Sequence, residues 1–73
     1  MKMRNRVLAT RAEMGISQHE LCRRTGLSRL TIRAVERDDG YTPNGAVMLR
    51  LSEALGADMN SLFWSEREPE VVA

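Results

Sequence analysis

Apolar positions recur along this chain at helical rather than alternating spacing. Val7, Leu8 and Met14, with Arg11 between them, share one side of a helix over about Arg4–Met14. Ile32 and Val35 stand at i and i+3, and Met48, Leu51 and Leu55 repeat at three- and four-residue intervals. No segment alternates apolar and polar residues over strand length, so the pattern predicts an all-α chain. Glycine supplies the punctuation. The first helix stops before Gly15, a residue suited to the left-handed position that closes a helix.

Ser17-Gln18-His19-Glu20 has the S-x-x-E form of a capping box. The Ser17 hydroxyl is expected to accept from the Glu20 amide, and the Glu20 carboxylate from the Ser17 amide. The second helix then runs about Gln18–Thr25 and ends at Gly26. Ser28 caps a third helix, about Arg29–Arg37. Only Gly26-Leu27-Ser28 separates these two, the short turn of a helix-turn-helix. Residues 38–45 (DDGYTPNG) read as a loop. Asn44 caps a fourth helix, about Gly45–Leu55, which ends at Gly56. Asp58 caps a short fifth helix around Met59–Trp64. The expected domain is 1–64. The remainder, 65–73, is acidic, contains Pro69 and lacks periodicity, so disorder is expected there.

The third helix carries the candidate chemistry. Ile32 and Val35, with Leu27, anchor it inward against Leu21 and Cys22 of the second helix. Arg29, Leu30, Arg33, Ala34 and Arg37 follow at i, i+1, i+4, i+5 and i+8 and form the opposite stripe. An Arg stripe is ordinarily a solvated face. Its place on the second helix of a helix-turn-helix shifts the reading to DNA. The planar fork of Arg matches guanine O6 and N7 together, and an apolar side chain suits a thymine methyl. Arg29 and Arg33 are therefore read as base or phosphate contacts. Leu30 is a thymine contact, and small Ala34 lets the helix backbone approach. The free amides that open the second helix, with Gln18, form a phosphate site.

Composition sharpens this picture. The 73 residues carry a net charge of only +1, but residues 1–37 hold nine basic and three acidic residues, +6. Residues 38–73 hold two basic and seven acidic residues, −5. Such asymmetry points to an electrostatic partner for one half. One Cys precludes an internal disulfide, which fits a reducing, cytoplasmic setting. No apolar run approaches the roughly 20 residues of a membrane span, and no signal-peptide core follows the basic N-terminus. His19 and Cys22 stand at i and i+3, but two ligands make no metal site. No metal or cofactor is expected. No nucleophile stands with a base, and there is no phosphate-binding glycine loop, so no enzyme is expected.

A longer series now becomes visible: Arg11-x-x-x-Gly15-Ile16-Ser17-Gln18-x-x-Leu21, Gly26-Leu27-Ser28-x-x-Thr31-Ile32-x-x-Val35-Glu36, Pro43, Leu51-x-x-Ala54-Leu55-Gly56 and Leu62-Phe63. In this the chain resembles the Cro and phage-repressor type of helix-turn-helix domain over roughly residues 4–64. The resemblance implies a compact five-helix bundle whose third helix enters the major groove. It implies an Arg11–Glu36 pair linking the first helix to the end of the third. It places phosphate contacts at Ser17, Gln18, Thr31, Arg37, Tyr41 and Asn44. It also implies a sequence-specific regulator, a repressor type, acting as a homodimer on a pseudo-palindromic double-stranded site. Thr10, Gly45 and Ala57 stand where the family has larger apolar residues, which implies a thin core and support from a second chain. Asp38 stands where the family often has Gly, and Asp38 and Asp39 would repel phosphates unless turned away or paired with Arg37. Trp64 reads equally as a half-buried cap on the core or as a dimer contact. The rival reading is an antitoxin or inhibitor of the same fold, docking a protein partner through its acidic half.

Overall fold

The computed structural model describes residues 2–38 and 41–66. Five helices are framed by two short strands: β1 (Lys2–Asn5), α1 (Val7–Glu13), α2 (Gln18–Thr25), α3 (Arg29–Glu36), α4 (Gly45–Leu55), α5 (Met59–Leu62) and β2 (Phe63–Glu66). The middle three helices begin where the caps predict. Ser17 accepts from the Glu20 amide at 3.0 Å, Ser28 from the Thr31 amide at 3.2 Å, and Asn44 from the Val47 amide at 2.9 Å. Each bond satisfies one of the donors that open a helix. Gly26 ends α2 in the left-handed region, φ +73°, with its amide bonded to the Cys22 carbonyl. A side chain at Gly26 would be strained there, and this turn sets the angle between α2 and α3.

The core is one cluster. Val7, Leu21, Ile32, Val35, Val47, Leu51, Leu55, Leu62 and Phe63 are all buried, and Met3, Ile16, Cys22, Leu27, Met48, Ala54, Ala57 and Met59 pack around them. Ile32 and Val35 are the two residues of α3 buried in it. Their burial orients the helix and turns Arg29, Leu30 and Arg33 outward.

The all-α expectation needs correction at both ends. β1 and β2 form a two-stranded antiparallel sheet that pairs Lys2 with Glu66, Met3 with Ser65, Arg4 with Trp64 and Asn5 with Phe63. The first helix therefore starts at Val7 instead of Arg4, and the fifth stops at Leu62 instead of Trp64. Ser65 and Glu66, expected in a disordered tail, are the end of β2. The rest of that tail, Asp39 and Met1 lie outside the described residues. Met3 and Phe63 reach the core from the sheet. The Arg6 amide extends the pairing by donating to the Leu62 carbonyl at 3.0 Å.

Two smaller expectations also change. Leu8 and Met14 do not face the core. Only Val7 of α1 is buried, and Leu8 and Met14 are about half exposed. The capping box is half made, because the Glu20 carboxylate turns to Arg23 and Arg24 at 3.0 Å or less and not to the Ser17 amide. Two guanidinium groups outcompete one amide for a carboxylate at i+3 and i+4 spacing.

Candidate nucleic-acid interface

α3 presents the outer stripe. Arg29 and Arg33 are exposed, Leu30 is 80 % exposed, and Ala34 lies half-buried at the edge of the stripe. Arg29 and Arg33 have no carboxylate partner among the described residues. Thr31 is half-buried, and its hydroxyl meets that of Ser28 at 3.0 Å. Arg37 follows at the helix end and is exposed.

Several carboxylates among the described residues are paired away from the stripe. Glu20 binds Arg23 and Arg24, Glu13 lies 3.7 Å from Arg6, and Glu36 binds Arg11. Asp38, a doubtful charge from the sequence, is turned away from the stripe. Its backbone is left-handed, φ +51°, a conformation Asp tolerates better than most residues. Its carboxylate accepts from Arg4 Nε at 2.8 Å and from the Asn5 amide at 3.2 Å. Asn5 also donates from Nδ2 to the Val35 carbonyl at 2.9 Å and accepts from the Val7 amide at 3.0 Å. Thus β1 stitches the C-terminal end of α3 to the start of α1. Arg4 reaches Glu66 of β2 as well, at 2.6 Å.

The second group of candidates meets at α1, α2 and α3. Arg11 donates from Nε and Nη2 to the two Glu36 oxygens, at 2.7 and 3.2 Å, and from Nη1 to the Ile16 carbonyl at 3.0 Å. Gln18 Nε2 donates to Glu36 Oε1 at 2.7 Å. The Glu36 side chain is only 5 % exposed. Arg11, Gln18, Arg33, Glu36 and Arg37 line a depression of about 380 Å³ together with Leu8. Gln18, Arg33 and Arg37 therefore border one concavity. Tyr41 and Asn44 lie apart from it on the segment before α4, both exposed, and Asn44 Oδ1 is engaged as the α4 cap. Ser17 is exposed at the α2 N-terminus, its oxygen engaged by Glu20. The sequence reading missed Leu8 as a lining residue and the Gln18–Glu36 bond. The implied Arg11–Glu36 pair was the available signal, since it puts Glu36 beside the turn that leads into Gln18.

The Glu20 pair has a testable consequence. Hydrogen bonds from Arg23 first, and then from Arg24, hold the Glu20 carboxyl at about 2, against an ordinary 4.5. A depressed carboxylate stabilises the fold above its unfolded value, and the contribution is lost as pH falls from about 4.5 towards 2. Glu20→Gln should therefore lower the melting temperature modestly above about pH 4.5 and flatten its fall across that window, the two proteins converging towards pH 2. Added salt should shrink the difference, because the pair is exposed.

Among the described residues, no helix is long and apolar enough to cross a membrane. No group of three or more His, Cys, Asp or Glu among them stands close enough to hold a metal.

A family model described as helix-turn-helix matches residues 7–62. YgzD, an uncharacterized HTH-type transcriptional regulator of Bacillus subtilis, is 36 % identical over 66 residues, which cover 90 % of this chain and 98 % of the relative. An uncharacterized HTH-type transcriptional regulator of Methanothermobacter thermautotrophicus is 38 % identical over 56 residues, 77 % of this chain and 80 % of the relative. The chain belongs to the Cro/C1-type helix-turn-helix family. It is a DNA-binding protein of the transcription-regulator class.

Proposed function

We propose that this protein is a repressor that binds a pseudo-palindromic double-stranded site as a homodimer, with α3 in the major groove. The observation that carries the reading is the outer stripe of α3. Arg29 and Arg33 are exposed without carboxylate partners among the described residues, beside an almost fully exposed Leu30. Unneutralised arginines next to an exposed apolar side chain match a surface of base edges and thymine methyl groups. Arg29, Leu30, Arg33 and Ala34 are assigned to bases. Ser17, Gln18, Thr31, Arg37, Tyr41 and Asn44 are assigned to phosphates, Ser17 and Asn44 through the donors their caps leave over. Arg11 and Glu36 are assigned a structural role.

The dimer contact is assigned to the outer face of the sheet. Phe63 points into the core, so strand alternation turns Trp64 to the opposite face, where it is 40 % exposed. An aromatic side chain half-bare on a short sheet suits a two-fold contact. A homodimer on a two-half-site target needs its recognition helices about 34 Å apart. Sedimentation equilibrium should give a dimer that Trp64→Glu weakens at least tenfold, with the helical circular dichroism retained. An unchanged association constant would move the interface elsewhere.

The functional test is a salt titration of binding to duplex DNA. Each phosphate neutralised contributes about −0.9 to the slope of log K against log salt. A steep negative slope, lowered by about one unit in Arg37→Ala, supports the reading. No binding to duplex DNA at low salt would favour a protein partner docked on the acidic half.

A further inference from the structure

We infer that Glu36 is a positioning residue for DNA binding: it holds the Gln18 carboxamide in the orientation that presents an N–H to a phosphate. The inference rests on the DNA-binding reading above and adds a role that the Arg11–Glu36 pair alone does not require.

Glu36 only accepts hydrogen bonds. Its Oε1 takes one N–H of Gln18 at 2.7 Å. Turning the Gln18 amide over would set its carbonyl oxygen against that carboxylate oxygen, two acceptors in contact with no proton between them. Glu36 therefore selects one end of a group that is otherwise symmetric in shape. The amide nitrogen keeps a second N–H, which Glu36 leaves unused.

Glu36 is itself held in place by hydrogen bonds. The Arg11 fork grips both of its oxygens, and Arg11 is tied in turn to the Ile16 carbonyl, two residues before Gln18. The Glu36 side chain is 5 % exposed and neutralised by Arg11, so it orients Gln18 without offering its charge to a phosphate. Gln18 opens α2, where the backbone N–H groups and the positive end of the helix dipole already favour an anion. It also borders the same depression as Arg33 and Arg37. A side chain held in place before binding loses little rotamer freedom on binding, and that loss is one of the regular costs of association.

The test is a double-mutant cycle on duplex DNA affinity with Gln18→Ala and Glu36→Ala, run at a temperature where circular dichroism shows every variant folded. Gln18→Ala is expected to weaken binding roughly tenfold with an unchanged salt slope, because a neutral amide releases no counterion. The Gln18→Ala loss should shrink to about twofold or less in the Glu36→Ala background. Glu36→Gln, which keeps an acceptor oxygen, should retain most of the coupling and guards against a Glu36→Ala chain that is too unstable to measure. The free protein gives a second readout. The two Gln18 side-chain amide protons should be resolved by NMR and the one bonded to Glu36 slowed in exchange, a protection lost in Glu36→Ala and kept in Arg37→Ala. Equal Gln18→Ala losses in both backgrounds, with DNA binding intact, overturn the inference alone. No DNA binding by the unaltered chain overturns the DNA reading and the inference with it.

Discussion

Glu36→Ala is expected to destabilise the fold by about 3–5 kcal/mol, the usual cost of removing one member of a buried charge pair. In a domain of this size that lowers the melting temperature by more than about 12 °C. The reason lies in what remains. Arg11, 14 % exposed at its side chain, keeps a full positive charge with only the Ile16 carbonyl as a partner, and Gln18 loses its acceptor. Three segments lose their common point: α1 through Arg11, the start of α2 through Gln18, and the end of α3. Glu20→Ala should produce a much smaller fall at pH 7, because Glu20 and its two arginines sit in solvent. Thermal melts of both variants decide the matter, and the reverse order would contradict the structural assignment of Arg11 and Glu36.

Arg33→Ala is expected to weaken binding to the specific site by about 1–3 kcal/mol, a loss of roughly 5- to 150-fold. The melting temperature should hardly move, because Arg33 is exposed and has no ion pair among the described residues. Arg29→Ala should behave in the same way at a different base pair. The distinguishing readout is preference. Loss of a base contact relaxes the sequence requirement at one position in each half-site, whereas loss of a phosphate contact weakens all sequences alike and lowers the salt slope by about one unit. Both outcomes are measured by titrating wild-type and variant protein against the preferred site and its single-base changes.

The part of the fold that positions this surface was legible because it is written in short-range chemistry. Ser17, Ser28 and Asn44 announce three helix starts within three residues of the amides they cap, and Gly26 and Gly56 mark two ends. The inward pair Ile32 and Val35 then determines which residues of α3 face out. The sheet was not legible for the opposite reason. Its register joins Lys2 to Glu66, and each four-residue strand is too short to show alternation. Phe63-Trp64, two strand-favouring aromatics after a four-residue helix, was the nearest local hint.

The same distinction governs the charges. The division into a basic and an acidic half is visible in the sequence. The pairs that reshape it, Arg4 with Asp38 and Glu66, and Arg11 with Glu36, bridge 25 or more positions. Once they form, Asp38 belongs to the β1 clasp and Glu36 to the Arg11 pair. Gln18 shows the limit of residue-by-residue reading. Its place at the start of α2 marks it for phosphate, but its bond to Glu36 depends on where the far end of α3 lies.

The most direct test of the central claim, that α3 reads DNA sequence, is selection of bound duplexes from a random pool by the unaltered chain and by Arg33→Ala. The account predicts a two-fold symmetric site whose half-site centres are about one helical turn apart, with the Arg33→Ala selection losing preference at one symmetric pair of positions and keeping the rest. A pool that shows no enrichment, or an identical site selected by both proteins, would contradict it.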